Sequence, residues 1–274
     1  QGVGNNITIN QNALGMVNFV GKTENQLLRA DLTANLEGQQ QVITTTVNFA
    51  DEKLPFRAET NFNQTELAPF IALLQPPGSV AITGRATGKV FAEGNLYAKD
   101  ANGKGSFTTD DIKGIAQFSE FALEISETPF VATQPIAISF NTREVIVENA
   151  RFAGAGSNLV VSGTKALNDN GINNLLLDGK INLRLLNATS KNTFYSGLAD
   201  VSIRLTGINK ESRLSGSAAV DNASISTFVS SERLNFERIK GRVIFTTNQA
   251  QIDQAVGYLG GGKVVGTGGA LVEG

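Results

Sequence analysis

Apolar and polar residues alternate with a period of two along much of this chain. Leu28, Ala30, Leu32, Ala34 and Leu36 fall on one face of an extended backbone; Arg29, Asp31, Thr33 and Asn35 fall on the other. Phe56, Ala58, Thr60 and Phe62 oppose Arg57, Glu59, Asn61 and Asn63. Leu175, Leu177, Ile181, Leu183 and Leu185 oppose Asp178, Lys180, Asn182 and Arg184, with Gly179 in the apolar register. Val201, Ile203 and Leu205 oppose Ser202, Arg204 and Thr206, and Ile239, Gly241, Val243 and Phe245 oppose Lys240 and Arg242. Each segment predicts a strand with one dry and one wet face, as antiparallel sheets have. Glu37-Gly38, Asn102-Gly103, Asn170-Gly171 and Gly260-Gly261-Gly262 mark turns between them. The template yields about a dozen and a half strands at a spacing of roughly 8–12 residues.

One segment changes period. Leu67, Phe70, Leu73 and Leu74 follow helical spacing, Pro69 falls early, and Pro76-Pro77-Gly78 follows. The spacing predicts a short helix over 65–74, lying on or capping the sheet and serving packing sooner than a gate. A loose repeat places Gly inside or at the end of strands, as at Gly84, Gly163, Gly179, Gly207, Gly216 and Gly241. Glycine weakens a strand, so its recurrence calls for close backbone approach, bending of a curved sheet, or room for a ligand.

Composition narrows the chemistry. Of 274 residues none is Cys or His, which excludes a Ser-His-Asp or Cys-His nucleophile, a zinc site of the usual ligands and a His-held haem. Basic and acidic residues nearly balance, at 23 and 25, and no basic run exists to neutralise nucleic-acid phosphates. No run of ~20 apolar residues predicts a membrane-spanning helix. Without a basic-then-apolar start at Gln1 the chain reads as an internal piece, with any export signal or anchor elsewhere. Trp is absent and Tyr occurs 3 times, unlike an outer-membrane barrel with its aromatic girdles.

Several motifs resemble sites and fail on spacing. Gly257 to Lys263 (GYLGGGK) has a phosphate-loop outline, but Val264 stands where Ser or Thr would hold Mg²⁺, and a strand pattern follows. A Gly-rich hairpin is the expectation there. Asp100/Asn102/Gly103 and Asn168 to Gly171 lack the later Glu of a calcium loop. Asp110-Asp111 and Glu120/Glu124 are carboxylate pairs that nothing places across a cleft. Arg151 and Arg184 are candidates for lipid headgroups at a rim, with exposed strand charge as the plainer reading. No catalytic residue, metal site or cofactor is expected.

In the later part of the chain an ordered series appears: LVVSG (159–163), LLLDGKINL (175–183), ADVSIRLTG (199–207), LSGSAAVDNA (214–223), IKGRVIF (239–245) and GGGKVVGTG (260–268). With PGSVAITGRATGKVFAEGNL (77–96), this succession resembles the C-terminal region of the TamB/AsmA-like translocation and assembly module family, over roughly residues 77–274. The resemblance implies a long antiparallel sheet curled into a U-shaped gutter with an apolar lining. It implies a periplasmic protein attached to the inner membrane through a segment outside this chain. Its work would be phospholipid transport to the outer membrane and barrel-protein assembly with a TamA-like partner, without catalysis. The chain then divides into an N-terminal β segment, 1–76, containing the helix, and a gutter segment, 77–274, continuous with it. The lining expected to meet acyl chains is Leu28, Leu32, Phe56, Phe62 and Val90, then Leu159, Val161, Leu175, Leu177, Ile181 and Leu183, then Val201, Ile203, Leu205, Val243 and Phe245. Some fifteen strands ~4.8 Å apart make a trough on the order of 70 Å long. The rival reading is an extracellular or periplasmic β-sandwich or β-solenoid of structural or adhesive role, whose apolar face is sealed.

Overall fold

A computed structural model describes residues 2–9, 12–36, 39–74, 81–99, 102–189, 192–229, 232–247 and 249–271. The first strands are β1 (Gly2–Ile9), β2 (Asn12–Glu24), β3 (Leu27–Leu36), β4 (Gln39–Asn48), β5 (Pro55–Glu66) and β6 (Ile82–Asn95). There follow β7 (Tyr97–Lys99), β8 (Gly105–Phe107), β9 (Lys113–Ile125), β10 (Thr128–Ala132), β11 (Ile136–Asn141), β12 (Glu144–Gly154) and β13 (Ser157–Ala166). The last are β14 (Ile172–Asn182), β15 (Thr193–Ser196), β16 (Leu198–Ile208), β17 (Arg213–Val229), β18 (Glu232–Thr247), β19 (Gln249–Leu259) and β20 (Gly262–Leu271). Among the described residues eighteen strands belong to one antiparallel sheet, and β7 and β8 form a separate ribbon. Among the described residues the only α-helix is α1 (Ala68–Leu74). The protein is all-β, as the alternation predicts.

The chain forms two compact units: Gln1–Ser79 with Thr83–Phe121 and Pro135–Val145, and Val80–Ile82 with Ala122–Gln134 and Ile146–Gly274. In the first, β1 to β6 pair in chain order as a meander. The predicted face of β3 is the covered one: Ala30, Ala34 and Leu36 are buried, while Arg29, Asp31 and Asn35 are exposed. The helix begins three residues later than its pattern suggests. A bulge after Phe62, with Gln64 at φ 50°, turns Thr65 inward and keeps Thr65 and Glu66 in β5. Gln39 then clamps Glu66, donating to its carbonyl at 3.2 Å and accepting its N–H at 2.9 Å. Phe70 of α1 packs on Phe62, ring centroids 5.4 Å apart, and against Ala34 and Leu36, so the helix is a core-packing cap. Glu37-Gly38 and Pro76-Pro77-Gly78 lie outside the described residues.

In the second unit β10 pairs with the end of β9 and with β12, and β13, β14, β16, β17, β18, β19 and β20 follow as neighbours. β15 pairs with the part of β17 beyond the reach of β16. Leu183 and Leu185, expected to continue β14, lie instead in a 3₁₀ segment, Leu183–Thr189. Asn182 ends the strand: its side-chain oxygen takes the Arg184 N–H at 2.9 Å, and its own N–H goes to the Ser157 hydroxyl at 2.9 Å. Such Asx bonding offers the backbone an alternative to the ladder.

Three bulges run side by side. The registers leave one extra residue in each of three adjacent strands: Asn222 in β17, Arg238 in β18 and Gln254 in β19. Arg238 and Gln254 have φ of 49° and 52°. A bulge bends its strand and raises the local twist, so adjoining bulges crease this part of the sheet along one line.

Candidate functional site

The candidate site is the apolar face of the second unit, and cross-strand register builds it row by row. One row is Leu159, Gly179, Val201, Ala218, Val243, Ile252 and Gly268, one residue from each of seven strands. The next, two residues along, is Val161, Leu177, Ile203, Gly216, Phe245, Ala250 and Ala270. Shorter rows flank them: Gly163, Leu175, Leu205, Leu214 and Thr247 on one side, and Ile181, Ala199, Val220 and Gly241 on the other. No charged residue stands in any of the four. The period of two aligns whole faces once the register is fixed.

The rows differ in cover. Leu159, Ala199 and Val201 are buried and, with Phe130, form a cluster joined by half-buried Leu177, Ile181, Leu183, Ile203, Ala218 and Val220. Val161, Leu175, Leu205, Val243 and Phe245 are half-buried as well. Cover falls away toward β20: Ile252 is 37% exposed and Gly268 and Ala270 lie open. Leu123 and Ile125 of β9, Phe130 of β10 and Phe152 of β12 pack on the buried part of the band.

The opposite face carries the charge. Lys180 pairs with Asp200 and Lys240 with Asp221 at 2.8 Å. Arg204 donates to Asn174 at 3.4 Å and Arg242 to Ser217 at 3.1 Å. The Lys240 ammonium beside Asp221 holds that carboxyl below its ordinary value, and Asp221 in return raises Lys240. Both lie at the bulge line on the wet face.

Every expected lining residue of the second unit falls on the apolar face, Leu183 by way of the 3₁₀ segment, but Leu159 and Val201 are buried there in the cluster with Phe130 and are packing and not an open lining. In the first unit Leu28 and Phe56 flank Val47 in one row, and Leu32 and Val90 flank Ile43 and Thr60 in another. Phe62 is buried between Phe70 and Phe118, at ring distances of 5.4 and 5.7 Å, which is packing and not an open lining.

Sequence reading missed a buried polar node. Asn173 is 1% exposed; its oxygen takes the Ala166 N–H at 2.8 Å, and its amide donates to Ser212 at 2.7 Å and Asn209 at 3.1 Å. It ties β13 and β14 to the turn after β16. Its neighbours in sequence are polar or exposed, so nothing local marks it as interior.

The rejected motifs resolve into ordinary structure. Gly260-Gly261, with φ of 55° and 86°, form the two-residue turn of the β19–β20 hairpin, and Lys263 lies in β20 opposite Tyr258. That is a type I′ turn, not a phosphate loop opening a helix. Asp111 accepts the Asn95 N–H at 2.8 Å, and that bond leads the causes holding its carboxyl below the ordinary value. Glu120 accepts from Gln64 and, at 3.1 Å, from Thr87. Asp169 pairs with Lys210 at 2.9 Å; Asp100 lies outside the described residues. Among the described residues no group of three or more carboxylates is placed to hold a metal.

Comparison with known protein families, curated proteins and solved structures found no match to this chain.

Proposed function

We propose that this chain is a non-catalytic lipid-transfer groove in which phospholipid acyl chains lie along the apolar band of the second unit. The observation that supports this is a charge-free face seven strands wide, half-covered at its middle and open toward β20. Six interstrand steps of ~4.8 Å make the band ~29 Å wide, about twice the apolar depth of one ~15 Å bilayer leaflet. Each buried CH₂ gains ~0.8 kcal/mol, so a chain leaves water readily. The rows offer aliphatic neighbours of similar kind, so sliding from one to the next costs little. The bulge line supports a sheet curled around such a cargo. The TamB/AsmA-like resemblance adds the setting: the periplasm, an inner-membrane anchor outside this chain, delivery to the outer membrane, and barrel assembly with a TamA-like partner.

The test uses opposite faces of one strand. A photo-crosslinking residue at Ile203 is expected to capture phospholipid in cells, and one at Arg204 is not. Ile203→Asp is expected to stay folded and to block lipid passage, since an acyl chain cannot pass a carboxylate cheaply. In a sealed sandwich core an unpaired carboxylate costs several kcal/mol, comparable to a marginal domain's whole stability. Unfolding by Ile203→Asp, or equal capture at both positions, would reject the groove in favour of a sandwich.

A further inference from the structure

At one end of the strands the apolar face stops at a cation. Lys165 stands two residues past Gly163 in β13, and Asn173 two residues before Leu175 in β14. Both side chains therefore fall on the face of the band, one row beyond Gly163, Leu175, Leu205 and Leu214. Gly207 of β16 continues this last row. Lys165 is the only charged residue that β13, β14 and β16 place on this face. It is half-buried, and among the described residues no carboxylate lies within ion-pair distance of it. Its ammonium donates to the Asn209 side-chain oxygen and, at 3.2 Å, to the Ala166 carbonyl. The buried Asn173 node holds these acceptors in place. The Asn173 amide donates to the same Asn209 oxygen and to Ser212, while its own oxygen takes the Ala166 N–H. An ammonium drawn partly out of water, with only neutral acceptors around it, gains from an anion brought to it.

The opposite side of this strip is covered, because Leu159 and Val201 are buried in the cluster with Phe130. Between that covered row and the Lys165 row lie two half-buried rows, one through Leu175 and Leu205 and one through Leu177 and Ile203, ~7 Å apart. We propose that Lys165 takes the phosphate of a phospholipid whose acyl chains lie in these two rows, so that headgroups ride at the Asn173 end of the strands. Lysine serves phosphate as a point charge, and a hydrogen bond between two ionised groups is roughly twice as strong as a neutral one. The inference rests on the groove reading, and it adds the edge of the band that the headgroups face.

The experiment titrates the full 274-residue chain with three probes: dihexanoyl phosphatidylglycerol, a monoacylglycerol and inorganic phosphate. Lys165→Met keeps the length of the side chain without its charge, and Lys165→Arg keeps the charge; circular dichroism verifies both folds. Lys165→Met is expected to bind the phospholipid about ten-fold more weakly and the monoacylglycerol unchanged, and Lys165→Arg to retain most of the phospholipid affinity. A second measurement needs no variant. A dihexanoyl phospholipid carrying a nitroxide on its headgroup is expected to broaden the amide signals of Ala166 and Gly207 in the wild-type chain more than those of Ile181 and Val220. If the wild-type chain binds monoacylglycerol but Lys165→Met keeps full phospholipid affinity, or if the nitroxide broadens both ends alike, the headgroup site is wrong and the groove stands. If it binds neither acyl probe, the groove itself fails and this inference with it. Inorganic phosphate bound as tightly as the phospholipid would mark a free-anion site and overturn the headgroup assignment.

Discussion

At Gly216 an ideal Cβ would lie 2.0 Å from the Ser202 carbonyl oxygen, and its φ is +122°, a region closed to other residues. Gly179 repeats this against Asn158, at 2.1 Å with φ +126°. Of the three readings open for the repeated glycine, close backbone approach is the one these positions show. Gly266→Ala offers the control, because its nearest neighbour is 4.0 Å away and its φ is ordinary. Gly216→Ala is expected to cost ~2 kcal/mol or more, and Gly266→Ala to stay within about 0.5 kcal/mol of wild type, both read by urea denaturation. Equal effects would show that the glycines do not set the strand approach. The hairpin turns make the converse point. Ser126-Glu127 turns β9 into β10 with φ of 50° and 61° and no glycine, so no turn signal marked it in the sequence. Ser126→Asn with Glu127→Gly relieves two left-handed positions and is expected to stabilise the chain by roughly 0.5–1 kcal/mol. A lower denaturation midpoint would refute that.

Among the elements, those with one wet face were legible from alternation alone. β3 and β16 carry their predicted faces at Ala30, Ala34 and Val201, which are buried, and at Arg29, Asp31, Ser202 and Arg204, which are exposed. What alternation could not reveal is where one strand gains a residue over its neighbour. Past Arg238 the inward side chains become Phe236 and Leu234 where an unbroken pattern would turn Glu237 inward. Nor could it show that Asn182 bonds Arg184 and stops β14, because Leu183 and Leu185 keep the period across that break. A carboxylate clasp gives one element its own pH response. Asp111, just ahead of β9, holds the Asn95 N–H at the end of β6, and this bond is the leading cause of its lowered pKa. A carboxyl lowered in the folded state adds stability above its unfolded pKa, and that stability is lost as pH falls through the folded one. Exchange at the Asn95 amide, corrected for intrinsic rate, is therefore expected to speed up below about pH 4, and to lose that dependence in Asp111→Asn. A pH-independent amide would mean that the clasp carries no load.

For the whole molecule, the apolar face of the second unit could be foreseen because charged residues avoid it at every row. Its partial cover could not, since a sealed core and an open groove write the same alternation. The two differ in their response to ligand. A groove that binds acyl chains only when folded is stabilised by mass action, by ~2.7 kcal/mol when free lipid stands at a hundred times its dissociation constant. For a chain of this size that corresponds to roughly 5–10 °C in melting temperature. Delipidated protein is expected to melt lower than protein purified with its lipid, and to recover on adding short-chain phospholipid. ATP with Mg²⁺ is expected to produce no shift, because Lys263 lies in a strand opposite Tyr258 and no phosphate cradle precedes it. A sealed sandwich has no apolar surface to fill and would melt at one temperature with or without lipid. That result would leave the rows as core packing, while a shift abolished by Ile203→Asp would locate the lipid on them.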